Sequence, residues 1–106
     1  GFGNRVAPLW FGPRKRIVVV GANKIVANVE EALKRIKDMA APINAKRHHL
    51  KHGREEPPCA VTGVCSDCRT DQRICHYTTI IEFQAKPPPG REPRLNVVLV
   101  ADDLGI

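Results

Sequence analysis

Hydrophobic positions fall along the chain in three patterns. The first is a continuous β-branched run, "RIVVVG" (Arg16–Gly21), with no polar alternation. Such a run predicts a strand buried on both faces, as in a parallel sheet. The second is helical: Val29, Ala32, Leu33, Ile36, Met39 and Ala40 keep a spacing of three and four. Asn28 stands where an N-cap is needed, and Glu31 follows three residues later, as in a capping box. Glu30–Lys34 and Glu31–Arg35 are placed to pair one helical turn apart on the outer face. Pro42 interrupts simple continuation, yet it suits the start of a second short helix through "INAKRHHLK". The third pattern is two further apolar runs, Tyr77–Ala85 and Asn96–Ala101, which predict two more strands.

The segments between are polar or rich in proline. The opening "GFGNRVAPLWFGPRKR" predicts a short helix capped by Asn4, with Val6, Leu9 and Trp10 on one face and Gly12-Pro13 as its stop. Pro8 then has to lie in the first turn. From Gly53 to His76 the pattern predicts one long loop, a length that usually signals a function or a cross-link. "KPPPGREPR" predicts a stiff, exposed connector. The order is helix, strand, helix, short helix, loop, strand, strand. Buried strands beside an amphipathic helix predict an α/β layer fold, and three strands amount to only part of a sheet.

At 106 residues the chain is expected to be one domain, residues 1–106, or a piece of a longer one. Its net charge of +6 favours an anionic partner. Nucleic acid is not expected, because the few aromatics are not interleaved with the basic residues as a stacking platform requires. No apolar run reaches the length of a membrane span, so no membrane partner is expected. No leader is visible, which predicts a reducing cytoplasm.

All four cysteines lie in one segment, "PCAVTGVCSDCRTDQRIC". The spacing of Cys59, Cys65, Cys68 and Cys75 is C-x5-C-x2-C-x6-C. A C-x2-C pair lets two thiolates reach one ion, and the flanking cysteines complete four ligands. Four sulfurs suit zinc or an iron–sulfur cluster. The spacing matches neither a two-pair zinc ribbon nor a ferredoxin run, so disulfides and unligated thiols stay open at this stage. Arg69, Arg73 and His76 offset thiolate charge and favour ligation. Asn23 and Lys24 follow the first strand, where open α/β sheets collect ligands, and a phosphate, carboxylate or CoA-type anion is the expected occupant. Asp102 and Asp103 follow the last strand and are expected at the same crevice, as acid/base groups or as a solvated turn. His48 and His52 share a helix face within a basic cluster that includes His49. No nucleophile and base are spaced to form a catalytic pair, and Glu82 is a lone acid.

The blocks "GNRVA", "FGPRKRIVVVGANKIV", "EEALKRI" and "AAPINAKR", then "PCAVTGVCSDCR" and "RIC", then "VVLVADDLG", run in an order that resembles the C-terminal half of the LUD-domain proteins, the lactate-utilisation family. The resemblance implies a three-layer α/β sandwich on a mainly parallel sheet, similar to the ribose-5-phosphate isomerase and CoA-transferase group. It also implies a partial domain that pairs to cover its sheet. The function it implies is accessory, in lactate or related organic-acid utilisation. Such a chain would bind a small anionic metabolite or carry a redox centre, beside other subunits of the pathway or a second copy of itself. By analogy with lactate-oxidation systems, the cysteines are expected to hold an iron–sulfur cluster. The alternatives are a structural zinc clasp in an assembly module and a sugar-phosphate isomerase-like enzyme.

Overall fold

The computed structural model describes residues 6–106. The chain divides into two compact units, residues 1–25 with 77–105, and residues 26–76 with Ile106.

In the first unit, α1 (Val6–Phe11) is followed by β1 (Arg16–Gly21), and β2 (Leu95–Val100) closes the chain. Pro8 lies in the first turn of α1, as its missing N–H demands, and the Gly12 N–H bonds the Pro8 carbonyl at 3.2 Å. The expected cap, Asn4, lies outside the described residues. Val6 is buried, but Leu9 is 62% exposed, so the expected apolar face of α1 is covered only at its start.

β1 and β2 pair in parallel, from Arg16 opposite Leu95 to Gly21 opposite Val100. The architecture is thus mixed α/β with a small parallel sheet. The expectation that β1 is buried on both faces is not met. Ile17 and Val19 are 64% and 58% exposed, and Val98, on the same face, is 48% exposed. Two strands cannot cover each other's faces; a parallel sheet needs helices for that.

The strand expected at Tyr77–Ala85 is absent, apart from one bridge residue at Thr78. The segment is extended and exposed, and its main link to β2 is a side chain. Gln84 accepts from the Leu95 N–H at 2.7 Å and donates to the Leu95 carbonyl at 3.1 Å. Its amide thereby stands in for a neighbouring peptide group at the start of β2.

The second unit is helical: α2 (Val29–Arg35), a π-turn (Ile36–Ala40), α3 (Ala41–His52) and α4 (Pro58–Thr62). The expected cap forms, with the Glu31 N–H on the Asn28 side chain at 2.8 Å. The Glu31 carboxylate turns back to the Ala27 N–H at 3.0 Å, and Lys34 pairs with Asp38 instead of Glu30. The π-turn lies just before Pro42. The Ala41 N–H reaches back five residues to the Ile36 carbonyl, and the next residue has no N–H to offer. The helix therefore widens for one turn and resumes as α3. Gly53, at φ 61°, stops it in the left-handed region.

α4 lies within the expected long loop. Pro58 starts it and Gly63, at φ 75°, ends it. Ala45 of α3 meets Cys59 and Ala60 of α4, with Ile74 packed against them, so this unit's core is made of small side chains.

Candidate functional site

The four cysteines are positioned by different means. Cys59 is carried by α4 and buried, 6% exposed, against Ala45. Cys65, Cys68 and Cys75 are half-buried in the loop that follows, and all four thiols are free.

Asp67 makes the turn between Cys65 and Cys68. It is the one non-glycine residue at positive φ (49°) among the described residues, a conformation that aspartate tolerates better than most side chains. One carboxylate oxygen faces the Cys65 thiol at 3.9 Å; the other takes the Lys37 ammonium at 2.6 Å. The Lys37 hydrogen bond and charge, helped by Arg73, hold the Asp67 carboxyl below its ordinary range. Asp67 in turn raises Lys37, and the Cys65 charge adds to that.

Arg73 organises the rest of the loop. Its guanidinium donates to the carbonyls of Asp67 (3.3 Å), Cys68 and Cys75 (3.2 Å). One planar fork thereby fixes the backbone at two cysteines and at the turn. The loop is also tied at its edges, by Lys46 to Glu56 at 2.5 Å and by Gln72 to Glu55 at 2.6 Å.

Burial pushes the Cys59 thiol up, and the charges of Cys68, Cys65 and Cys75 push it further. The donor set fits a thiophilic metal in kind: all four side chains are soft thiols, and the Arg73 guanidinium, bonded to carbonyls, keeps a positive charge in the loop, whereas Lys37 is already paired with Asp67. As the side chains are placed, no three of His, Cys, Asp or Glu among the described residues converge closely enough to hold an ion. The sequence singled out the cysteines and Arg73. It did not single out Lys37 or Asp67, although an aspartate inside C-x2-C is a readable turn signal.

The other expected site residues also gather. Parallel pairing ends both strands at the same edge, so the turn after β1 meets the turn after β2. The Ala22 N–H bonds the Asp102 carbonyl at 2.9 Å. Asn23 donates to the Gly105 carbonyl at 3.1 Å and accepts from the Leu104 N–H at 3.3 Å. Lys24 bonds the Asn23 side chain at 3.1 Å and the Leu104 carbonyl. Asp102 caps the Asp103 N–H at 2.8 Å.

Gly21 permits this closure. Its backbone is extended (φ −75°, ψ 156°), and a Cβ there would stand 2.5 Å from the Leu104 nitrogen and 2.7 Å from the Asp102 oxygen. Close backbone approach, not left-handed geometry, requires the glycine.

Among the histidines, the His48 and His52 rings lie 4.6 Å apart on one helix face, and His49 bonds the Arg54 carbonyl. No helix among the described residues is long and apolar enough to cross a membrane.

A family model described as the LUD domain matches residues 1–100. No curated protein and no solved structure matches the chain. The match spans nearly the whole sequence, and the chain belongs to the LUD-domain family, which places it broadly with lactate utilisation.

Proposed function

From membership of the LUD-domain family, we propose that the chain is an accessory subunit of lactate or related organic-acid utilisation whose cysteine loop holds a metal centre, in the first instance an iron–sulfur cluster. The observation that carries this reading is that all four cysteines are free, with Cys59 buried against α3 and the other three in one loop whose backbone Arg73 fixes at Cys68 and Cys75. Cys59, Cys65, Cys68 and Cys75 would be the ligands. A cluster bound there supplies one-electron transfer. The protein's own part is to fix the loop backbone through Arg73, shape the C-x2-C turn with Asp67 held by Lys37, and balance thiolate charge with Arg73. Thiols would have to give up their protons to ligate, so metal uptake would weaken as pH falls. The wider fold is read as a three-layer sandwich on a mainly parallel sheet, of which β1 and β2 are part, in a cytoplasmic protein. A small organic acid near Lys24, Asn23 and the Asp102–Asp103 turn is the substrate-side element of the same proposal.

A second reading has its own support. Cys59 is a core residue of α4, packed against Ala45 of α3. A zinc held there would clasp the loop to the helices and serve assembly instead of redox chemistry.

Anaerobic purification with iron, zinc and sulfide analysis tests both readings. Iron with acid-labile sulfide, and a visible absorption that bleaches on reduction, is the expected result. Stoichiometric zinc in a colourless protein overturns the cluster in favour of the clasp. No metal after reconstitution with either overturns both.

A further inference from the structure

A half-open cavity of about 570 Å³, two of whose wall residues, Phe11 and Phe83, are exposed, lies in the first unit at the opposite end of the strands from Lys24, beside Arg16 and Leu95. It falls within the range of small-molecule sites and gives far more room than a three-carbon acid fills. Three segments form its walls. The end of α1 contributes Trp10 and Phe11, the extended segment contributes Ile81 and Phe83, and the proline-rich connector contributes Pro87, Pro88 and Pro93.

Each wall is anchored. Arg16 donates to the carbonyls of Trp10 and Arg94, which ties the end of α1 to the start of β2. Gln84 clamps the extended segment to Leu95. The Arg91 N–H closes a turn onto the Pro88 carbonyl at 3.1 Å in the connector.

The charge of the lining is one-sided. Arg16, Lys86, Arg91 and Arg94 border the cavity, and the one acid there, Glu92, is paired with Lys15. The bonds of Arg16 and Arg94 go to neutral carbonyls, so their charges are not cancelled. Aromatic and prolyl walls take an apolar body, and guanidinium forks take a carboxylate, phosphate or sulfonate.

We propose that this cavity is a second ligand site, for an amphipathic organic anion with an aromatic or long aliphatic body and an acidic head. It is separate from the cysteine loop and does not depend on metal. Its occupant differs from a short hydroxy acid in needing the apolar body to fill the space between Trp10 and Phe83.

The chain's single tryptophan lies in the wall, so its emission reports on the site. The experiment titrates the protein with anilinonaphthalene sulfonate, an aromatic anion, and separately with the uncharged N-phenyl-naphthylamine. The expected result is saturable quenching of Trp10 with one sulfonate per chain, and binding of the uncharged probe about tenfold weaker. The Lys86→Ala/Arg91→Ala double variant, two exposed side chains in no ion pair among the described residues, should weaken the sulfonate about tenfold and leave the circular dichroism unchanged. Equal affinity for the two probes, unsaturable binding, or no loss in the double variant would each overturn the proposal. Metal content plays no part in these readouts, so failure here is distinct from failure of the cysteine centre.

Discussion

The two units leave large apolar side chains uncovered alike, but they are ordered by different means. The strand unit exposes Ile17, Val19, Leu99 and Phe83, as the helical unit exposes Val29, Ile43, Leu50 and Val61. The order of the strand unit comes from hydrogen bonds: the β1–β2 ladder, the Gln84 amide on Leu95, and the closure of Asn23 and Lys24 on the last residues. The helical unit buries mainly small side chains, Ala40, Ala41, Ala45, Cys59 and Ala60, and surrounds its loop with ion pairs. Hydrogen bonds can position backbone without closing a core, whereas small residues let helices approach until a thiol becomes a core atom. The strand unit therefore leaves apolar walls uncovered, and the helical unit holds a cysteine loop with a fixed backbone.

The largest effect that separates the units is expected at Gly21. Gly21→Val drives a branched side chain into the Leu104 and Asp102 backbone and should cost about 3 kcal/mol. Amide exchange should accelerate in β1 and β2 and stay unchanged in α3; equal loss in both units would erase the distinction between them.

In the helical unit, Cys59→Ser places a hydroxyl among Ala45, Ala60 and Ile74, at a cost of about 2 kcal/mol. Cys65→Ser, half-buried in the loop and outside the core, should leave stability nearly unchanged in metal-free protein. Urea denaturation of the two variants shows whether Cys59 differs from its neighbours as the core requires.

A smaller loss, about 1 kcal/mol, is expected for Asn28→Ala, which removes the cap of α2. Helical circular dichroism should fall with no change in the strand amides.

The smallest effect is a response to pH. The Asp67 carboxyl is held below its ordinary value by Lys37. Its stabilisation is complete above the carboxylate pKa of the unfolded chain and is lost as pH falls through the lowered folded value. The C-x2-C turn should loosen only in acid, and Asp67→Asn should abolish that response. Titration of the Cys65 and Cys68 amides by nuclear magnetic resonance checks both.

What could be read from the sequence follows the range of the forces involved. The Asn28 cap, the start of α3 around Pro42 and the limits of β1 are local, set by residues within one turn, and they form as expected. The strand at Tyr77–Ala85 is absent because a strand needs a neighbour along its length, and the segment meets β2 through the side chain of its own Gln84. Burial of β1 fails for the same reason: "IVVV" encodes the need for covering layers, not the layers themselves. α4 was readable, since Pro58 and Gly63 are its start and stop signals, but five residues inside a cysteine segment carry little period. The cysteines were legible by spacing. The pairing of Lys37 with Asp67 spans thirty residues and emerges only from the fold.

X-ray absorption at the metal edge of anaerobically purified protein tests the four-cysteine centre most directly. Four sulfur neighbours around the metal, falling to three with an oxygen or nitrogen in Cys59→Ser, is the predicted result. A first shell of nitrogen and oxygen alone, unchanged by substitution at Cys59, would contradict it.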